Sequence, residues 1–220
     1  MNLRNPRTKT AAGVAGLMML AFPLSACGDD GDSEGGSQDR VQAVATVEGL
    51  TGDMTEIIVD PDFFPTLDSL GVTPGILGDA TLEGDTLGFP ITGGGVQILP
   101  KGQVPNYVTG QIFHENSGLT LTAGDTVVEL RNFNVDPTFS KVYGDVVANG
   151  DVAATSAYLF RLDGSTLEDL RTEGENAILE GTQIFISETA AGLLNDVFGT
   201  DAVTDQVKVG IARITVDTTP

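Results

Sequence analysis

The sequence of 220 residues has no tryptophan, one cysteine and one histidine, and its positive charges are few. Because metal centres use several histidine or cysteine ligands, this shortage argues against a metal site. The single cysteine, Cys27, has no second thiol with which to form a disulfide or a CxxC redox motif. We therefore expect neither a metal nor another cofactor in this protein.

The same scarcity argues against catalysis. Proton transfer most often uses histidine, and here the only candidate is His114, with no G-x-S-x-G nucleophile motif anywhere in the chain. Neither a Walker A loop nor a dinucleotide-binding G-x-G-x-x-G follows a predicted strand. The absence of tryptophan disfavours a carbohydrate-cleaving groove. We expect a protein that is not an enzyme, with a hydrolase using His114 as the weaker alternative.

The N-terminus has the pattern of an export signal. Arg4, Arg7 and Lys9 precede an uncharged stretch over residues 11–24, which is too short to span a membrane comfortably. The next residues, Leu24-Ser25-Ala26-Cys27, resemble the lipobox of bacterial lipoproteins. This resemblance implies a signal peptide over residues 1–26, cleavage before Cys27, and acylation of Cys27 with a palmitate-type lipid. An ordinary secretory signal is the alternative.

Export and acylation would place the protein on the extracytoplasmic side of the cell membrane, in the cell envelope. Residues 27–40 are rich in glycine, serine and acid, which is typical of a flexible tether. Loss of three positive charges with the signal peptide changes the formal net charge from −20 to −23. Such a charge disfavours nucleic acid and anionic lipid as partners. We expect membrane contact through the lipid only, and an envelope protein or a small molecule as partner.

Residues 41–220 have the composition of a single β-rich domain. Short runs of β-branched and aromatic residues alternate with glycine, asparagine and aspartate, which predicts about ten short strands. A hairpin is expected over residues 118–136, with a bulge between Leu130 and Phe133 where the alternation changes phase. Asn149-Gly150-Asp151 predicts a second tight turn. The fold class predicted is mainly β, as an antiparallel sandwich or an open barrel.

Two short helices interrupt the strands. Residues 187–199 place Ser187 at an N-cap, put apolar residues on one face, and end at Gly199. Residues 60–71 begin with Asp60 and Pro61 and end at a glycine. We expect both helices to close the ends of the β core.

Residues 110–137, GQIFHENSGLTLTAGDTVVELRNFNVDP, contain histidine, then Gly-Leu, then Val-x-Leu-x-Asn-Phe. This order resembles a segment of the haem-transport-associated domain of actinobacterial surfaces. The resemblance implies a β-sandwich with small helices and an envelope location, and some members of that family bind haem through a tyrosine. The family's tryptophan-bearing opening, which holds that tyrosine, has no counterpart here, so no haem ligand is transferred to this chain.

We therefore predict a lipid-anchored envelope protein that acts as a binding or interaction module without catalysis. A carrier of a small, haem-type ligand is the alternative. Tyr107 and His114 are the candidate ligand-binding residues, if a bend at Gly110 brings them together. The other side chains able to serve as an axial ligand are those of Tyr143, Tyr158 and Met54.

Overall fold

The computed structural model describes residues 41–50 and 54–217, which fall within one folding unit, Arg40–Pro220. Cys27, the signal peptide over residues 1–26 and the tether over residues 27–40 lie outside the described residues. The predictions made for them therefore remain predictions.

The described residues form thirteen strands and two α-helices. The strands are β1 (Ala45–Glu48), β2 (Met54–Val59), β3 (Thr73–Gly78), β4 (Thr81–Glu83), β5 (Thr86–Pro90), β6 (Gly93–Ile98), β7 (Val108–Ala123), β8 (Thr126–Asp136), β9 (Lys141–Ala148), β10 (Asp151–Asp163), β11 (Arg171–Glu173), β12 (Asn176–Ile186) and β13 (Lys208–Asp217). The helices are α1 (Phe63–Ser69) and α2 (Glu188–Phe198), and a short 3-10 turn covers Gly164–Thr166.

The strands pair into one antiparallel sheet. Eleven of them follow the order β1-β6-β7-β8-β9-β10-β12-β13-β2-β5-β4, while β3 pairs with β7 and β11 pairs with β12. The sheet curls into a half-barrel. The prediction of a mainly β, antiparallel fold with two short helices is confirmed, and the architecture is the open-barrel form.

The hairpin of β7 and β8 follows the predicted pattern. The strands are joined at Gly124 and Asp125, and a register shift lies between Arg131 and Asn134 on β8. Asn132 adopts a left-handed backbone conformation there, with φ of 56°. Asparagine tolerates this conformation, so the expected bulge forms where the apolar alternation changes phase.

The turn between β9 and β10 is also where the sequence places it. Asn149 and Gly150 have φ values of 52° and 88°, as the two central residues of a type I′ turn require. The Asn149 side chain accepts a hydrogen bond from the backbone N–H of Val127 at 2.8 Å. This contact joins the turn to the start of β8.

Helix α2 begins and ends as predicted. The Ser187 hydroxyl accepts a hydrogen bond from the backbone N–H of Ala190 at 3.0 Å, and Gly199 closes the helix in the left-handed conformation with φ of 65°. Helix α1 begins at Phe63, after a turn in which the Asp60 carboxylate accepts from the N–H of Asp62. The helices bury apolar side chains in the main core, namely Phe63, Leu67, Ala190, Ala191 and Leu194.

Candidate functional site

The concave side of the half-barrel contains a cavity of about 260 Å³. Its wall is formed by side chains from every strand of the described residues except β3 and β4. Four polar residues contribute to this wall, and no Asp, Glu, Lys or Arg of the described residues does; the four are Thr55, His114, Thr172 and Thr182. The cavity is therefore largely apolar.

His114 lies on the cavity-facing side of β7 and is 1% exposed. Its Nδ1 is 3.3 Å from the backbone carbonyl oxygen of Phe133, and its Nε2 is 2.8 Å from the Thr55 hydroxyl oxygen. Because a carbonyl oxygen accepts only, Nδ1 donates, and in the neutral imidazole Nε2 then accepts from the Thr55 hydroxyl. Both nitrogens of the imidazole are therefore engaged.

Burial lowers the pKa of His114 to about 4, although its hydrogen bond to the Phe133 carbonyl acts in the opposite direction. The Thr55–His114–carbonyl arrangement resembles a nucleophile, a base and an orienting group. However, a base with a pKa near 4 is poorly matched to proton transfer at neutral pH. A neutral carbonyl also lacks the negative charge with which a carboxylate stabilises an imidazolium. The geometry is better suited to holding two strands together than to catalysis.

Three phenylalanines continue the cavity wall beside His114. The Phe89 ring lies edge-on to the imidazole, with centroids 6.5 Å apart, and packs edge-on against Phe133 at 5.3 Å. Phe133 in turn contacts Phe160 at 5.9 Å. Edge-to-face contacts of this kind hold aromatic rings in defined orientations. This part of the wall is therefore shaped by packed rings.

The structure does not bring Tyr107 to the cavity. The Tyr107 hydroxyl donates a hydrogen bond to the backbone carbonyl of Glu168 at 3.0 Å, and Lys101 lies over its ring at 4.8 Å. Gly110 lies within β7 and pairs with Val96, so the strand continues through the position where a bend was expected. Of the two candidate residues, His114 lines the cavity and Tyr107 does not; ligand binding by either stays a prediction.

The other candidate axial ligands are also placed away from the cavity wall. Tyr143 and Tyr158 face each other across β9 and β10, with ring centroids 6.1 Å apart. Burial raises the pKa of Tyr158, and the positive charge of Arg161 acts against that shift. Met54 begins β2, next to the cavity-lining Thr55. None of the three contributes to the cavity wall.

Thr55 is the residue of the candidate site that sequence reasoning missed. It lies 59 residues before His114, and a lone threonine in a strand gives no sign of its partner. The alternation of β2 indicates only that Thr55 and Ile57 share a face. Its role follows from the curl of the sheet.

The fold and the cavity define a class of protein, the antiparallel half-barrel with an apolar interior. No family model matches the sequence, and no curated protein matches it significantly. Among solved structures, the chain is similar to the C-terminal domain of HtaA from Corynebacterium glutamicum, with a TM-score of 0.53 and 14% identity. The match covers 78% of this chain and 99% of that domain. At this identity the likeness shows the fold alone.

A domain-swapped dimer of a histidine-to-alanine variant of the same HtaA domain also matches, with a TM-score of 0.44 and 12% identity. It covers 72% of this chain and 91% of that one. In the part of the chain that the structure describes, no three histidine, cysteine or acidic side chains converge as a metal site. Neither α1 nor α2 has the length and apolar character needed to cross a membrane.

Proposed function

We propose that this protein is a non-catalytic binding module of the cell envelope, which holds a small apolar molecule in the half-barrel cavity. The apolar cavity of about 260 Å³ is the observation that supports this proposal. Small-molecule sites are typically concave and mostly apolar, with a few polar groups that fix orientation. A dry apolar cavity of roughly 150 Å³ is enough to bind benzene. The present cavity has room for a larger ligand.

The cavity wall indicates the chemistry of that ligand. Because no charged side chain of the described residues lines it, a charged ligand group inside would remain unpaired, at a high free-energy cost. The Thr55–His114 pair offers one polar position, and Thr172 and Thr182 offer hydroxyl groups. We infer a neutral, mostly apolar ligand with few hydrogen-bonding groups.

Haem fits this cavity less well. Iron in haem proteins is held by histidine, cysteine, methionine or tyrosine, and His114 is the one such residue among the described residues that line the wall. Its Nε2 already accepts a hydrogen bond from the Thr55 hydroxyl, and no lysine or arginine of the described residues lines the wall to meet the two haem carboxylates. The side chains as arranged therefore do not fit haem.

The envelope location belongs to the same proposal. The pattern at residues 1–27 supports export and acylation of Cys27, so that the membrane is reached through the lipid while the half-barrel faces the extracytoplasmic side. The predicted charge of the mature chain supports a role without nucleic acid. The fold likeness to a corynebacterial domain is compatible with this proposal.

A titration with the apolar fluorophore N-phenyl-1-naphthylamine tests the cavity assignment. Ala45 lines the cavity from the edge strand β1, while its neighbour Thr46 is exposed on the opposite face. We expect saturable binding by the purified protein, loss of most of that binding in Ala45→Trp, and no loss in the matched variant Thr46→Trp. Equal binding by both variants, or no saturable binding at all, would contradict the proposal.

Titration with haemin separates the haem-type carrier from this proposal. The carrier hypothesis predicts a saturable one-to-one shift of the Soret band that is lost in His114→Ala or Tyr107→Phe. We expect no such shift, because both His114 nitrogens are engaged and Tyr107 lies away from the cavity. A saturable shift that depends on His114 would favour haem instead.

A further inference from the structure

Two positively charged residues occupy directly opposed positions on neighbouring strands, on the outer side of the half-barrel. Lys141 on β9 and Arg161 on β10 are direct partners in the antiparallel register. Their chain neighbours Val142, Phe160 and Leu162 line the cavity. Because successive side chains point to opposite faces of a strand, Lys141 and Arg161 lie on the convex face. We refer to these two residues as the cation pair.

Neither member of the cation pair forms a close ion pair with a carboxylate of the described residues. Within residues 41–50 and 54–217 there are seven lysines and arginines, and five of them form ion pairs, namely Lys101, Arg131, Arg171, Lys208 and Arg213. The two that form none are Lys141 and Arg161. This is unexpected in a chain with 31 acidic residues.

Two carboxylates lie close to the pair in the register, and each accepts a hydrogen bond within a turn. Asp136 lies opposite Lys141 on β8, but its Oδ1 accepts a hydrogen bond from the backbone N–H of Phe139 at 3.2 Å. Asp163 follows Arg161 on β10, and its Oδ1 accepts from the N–H of Ser165 at 2.9 Å. Both carboxylates stabilise turns at the end of their strands. The hydrogen bonds with Ser165 lower the pKa of Asp163 most, and the positive charge of Arg161 adds a smaller effect in the same direction without forming an ion pair.

Aromatic rings hold the two cations in place. The Lys141 ammonium lies 4.8 Å from the ring centroid of Tyr158, and the Arg161 guanidinium lies 4.4 Å from that of Phe185. Phe185 is the direct partner of Arg161 on β12. Cation–π contacts of this kind orient a cation while leaving its N–H donors free for another partner. Both residues are only half-buried.

This arrangement has a cost for the free protein. Like charges directly opposite each other on antiparallel strands are destabilising. Natural proteins keep such local conflicts mainly at functional sites. An anion bound between Lys141 and Arg161 would turn the repulsion into two attractions.

We propose that the cation pair is a binding site for a doubly charged phosphate group. A guanidinium presents a planar fork of donors that matches phosphate oxygens, and a lysine adds a second positive charge beside it. Two positive charges match the double negative charge of a phosphate group better than the single negative charge of a carboxylate. Lys208, the partner of Phe185 on β13, is neutralised by Asp60 at 3.2 Å, so Lys141 and Arg161 form the site. It lies on the face opposite the cavity and is independent of the cavity ligand.

Titration of the purified whole chain with phenyl phosphate tests this site. The side-chain Nε–H resonance of Arg161 should move saturably at an ionic strength of about 0.15 M, where long-range attraction and repulsion are screened. The double variant Lys141→Gln/Arg161→Gln should lower the association constant roughly tenfold or more. Binding to this double variant is followed through the phosphorus resonance of phenyl phosphate, because the variant lacks the Arg161 Nε–H group.

The matched control is Lys101→Gln/Arg213→Gln, which removes the same total charge from ion pairs elsewhere. It should leave the association constant unchanged. Equal loss in the two double variants would mean general charge attraction and overturn the proposal, as would the absence of a saturable shift in the unsubstituted chain. Single Lys141→Gln gives a second readout: phenyl phosphate should raise its melting temperature less than that of the unsubstituted chain.

Flotation with vesicles distinguishes two sources of the phosphate group. Binding to vesicles that contain phosphatidic acid, lost in the Lys141/Arg161 double variant, would identify a lipid headgroup. Binding of phenyl phosphate without vesicle binding would identify a soluble phosphate ester. If neither probe depends on Lys141 and Arg161, the proposal is wrong.

Discussion

The side chains of Thr55 and His114 meet across the interior, with 2.8 Å between the hydroxyl oxygen and Nε2. Their strands, β2 and β7, have five other strands between them in the sheet order. A flat sheet would hold these residues far apart, since neighbouring strands are spaced by roughly 4.8 Å. The hydrogen bond therefore joins two walls of the half-barrel and helps to maintain its curl.

The neutral state of His114 should make the fold sensitive to acid. Burial lowers its folded-state pKa to about 4 from an ordinary value of 6.5, so the unfolded chain takes up a proton first as the pH falls. The contribution of His114 to the free energy of unfolding should be constant above pH 6.5. Between pH 6.5 and 4 it should decrease by roughly 3 kcal/mol. Urea unfolding at a series of pH values measures this effect.

The variant His114→Gln is the control for that dependence, because glutamine is polar and does not titrate. It should be less stable at neutral pH, and its stability should fall less steeply between pH 6.5 and 4. Protonation of carboxylates lowers the stability of both proteins as the pH falls. The difference between the two slopes of stability against pH therefore reports the contribution of His114. Equal slopes would contradict a depressed pKa for this histidine.

Gly144 provides room for the aromatic packing of the core. An ideal Cβ at this position would lie 2.7 Å from Leu159 Cδ1 and 3.0 Å from both Phe133 Cδ1 and the Arg131 carbonyl oxygen. Gly144→Ala should therefore lower the free energy of unfolding by about 1–3 kcal/mol through overpacking.

Gly192 in α2 is the matched control, because an added Cβ there meets no atom within 4 Å. Gly192→Ala should stabilise the protein by up to about 1 kcal/mol through helix propensity. Urea unfolding of both variants measures the two effects. The changes in the free energy of unfolding should have opposite signs in the two variants. A Gly144→Ala protein as stable as the unsubstituted chain would mean that β9 shifts without a free-energy cost.

The Ser187 hydroxyl links the start of α2 to the sheet. It accepts from the N–H of Ala190 at 3.0 Å and donates to the carbonyl of Tyr158 at 2.5 Å, and the residue is 1% exposed. Ser187→Ala removes both bonds in a buried place and should cost about 2 kcal/mol. Thr200→Ala removes an exposed hydroxyl that accepts from Ala202, and should cost little. If the two variants lost similar amounts of melting temperature, the role given to Ser187 would be contradicted.

Local features of the fold could be predicted because their causes lie close together in the chain. The cap at Ser187, the stop at Gly199 and the turn at Asn149-Gly150 each depend on a few neighbouring residues. The bulge near Asn132 was visible as a change of apolar phase. In each case the residue type restricts the backbone before any distant contact forms.

The site could be predicted only in part, because its contacts are distant in the chain. His114 was singled out as the only histidine, but its partner Thr55 belongs to a strand that approaches only when the sheet curls. Tyr107 lies seven residues before His114, an odd number that favours opposite faces once the strand runs straight through Gly110. Lys141 and Arg161 become partners only after register shifts between β9 and β10, which the predicted turn at Asn149-Gly150 does not reveal.

The anchor predicted at Cys27 is tested by Cys27→Ala in a bacterial host, with the matched change Ser33→Ala in the tether. Acylation needs the cysteine sulfur, and each methylene of the lipid buried in a membrane contributes about 0.8 kcal/mol. The Cys27 variant should lose incorporation of a labelled palmitate analogue and leave the washed membrane fraction, or accumulate as an uncleaved precursor. The Ser33 variant should be labelled, cleaved and retained normally. A Cys27→Ala protein that is cleaved and stays membrane-bound would rule out the lipid anchor and leave the half-barrel itself, or a partner, as the source of attachment.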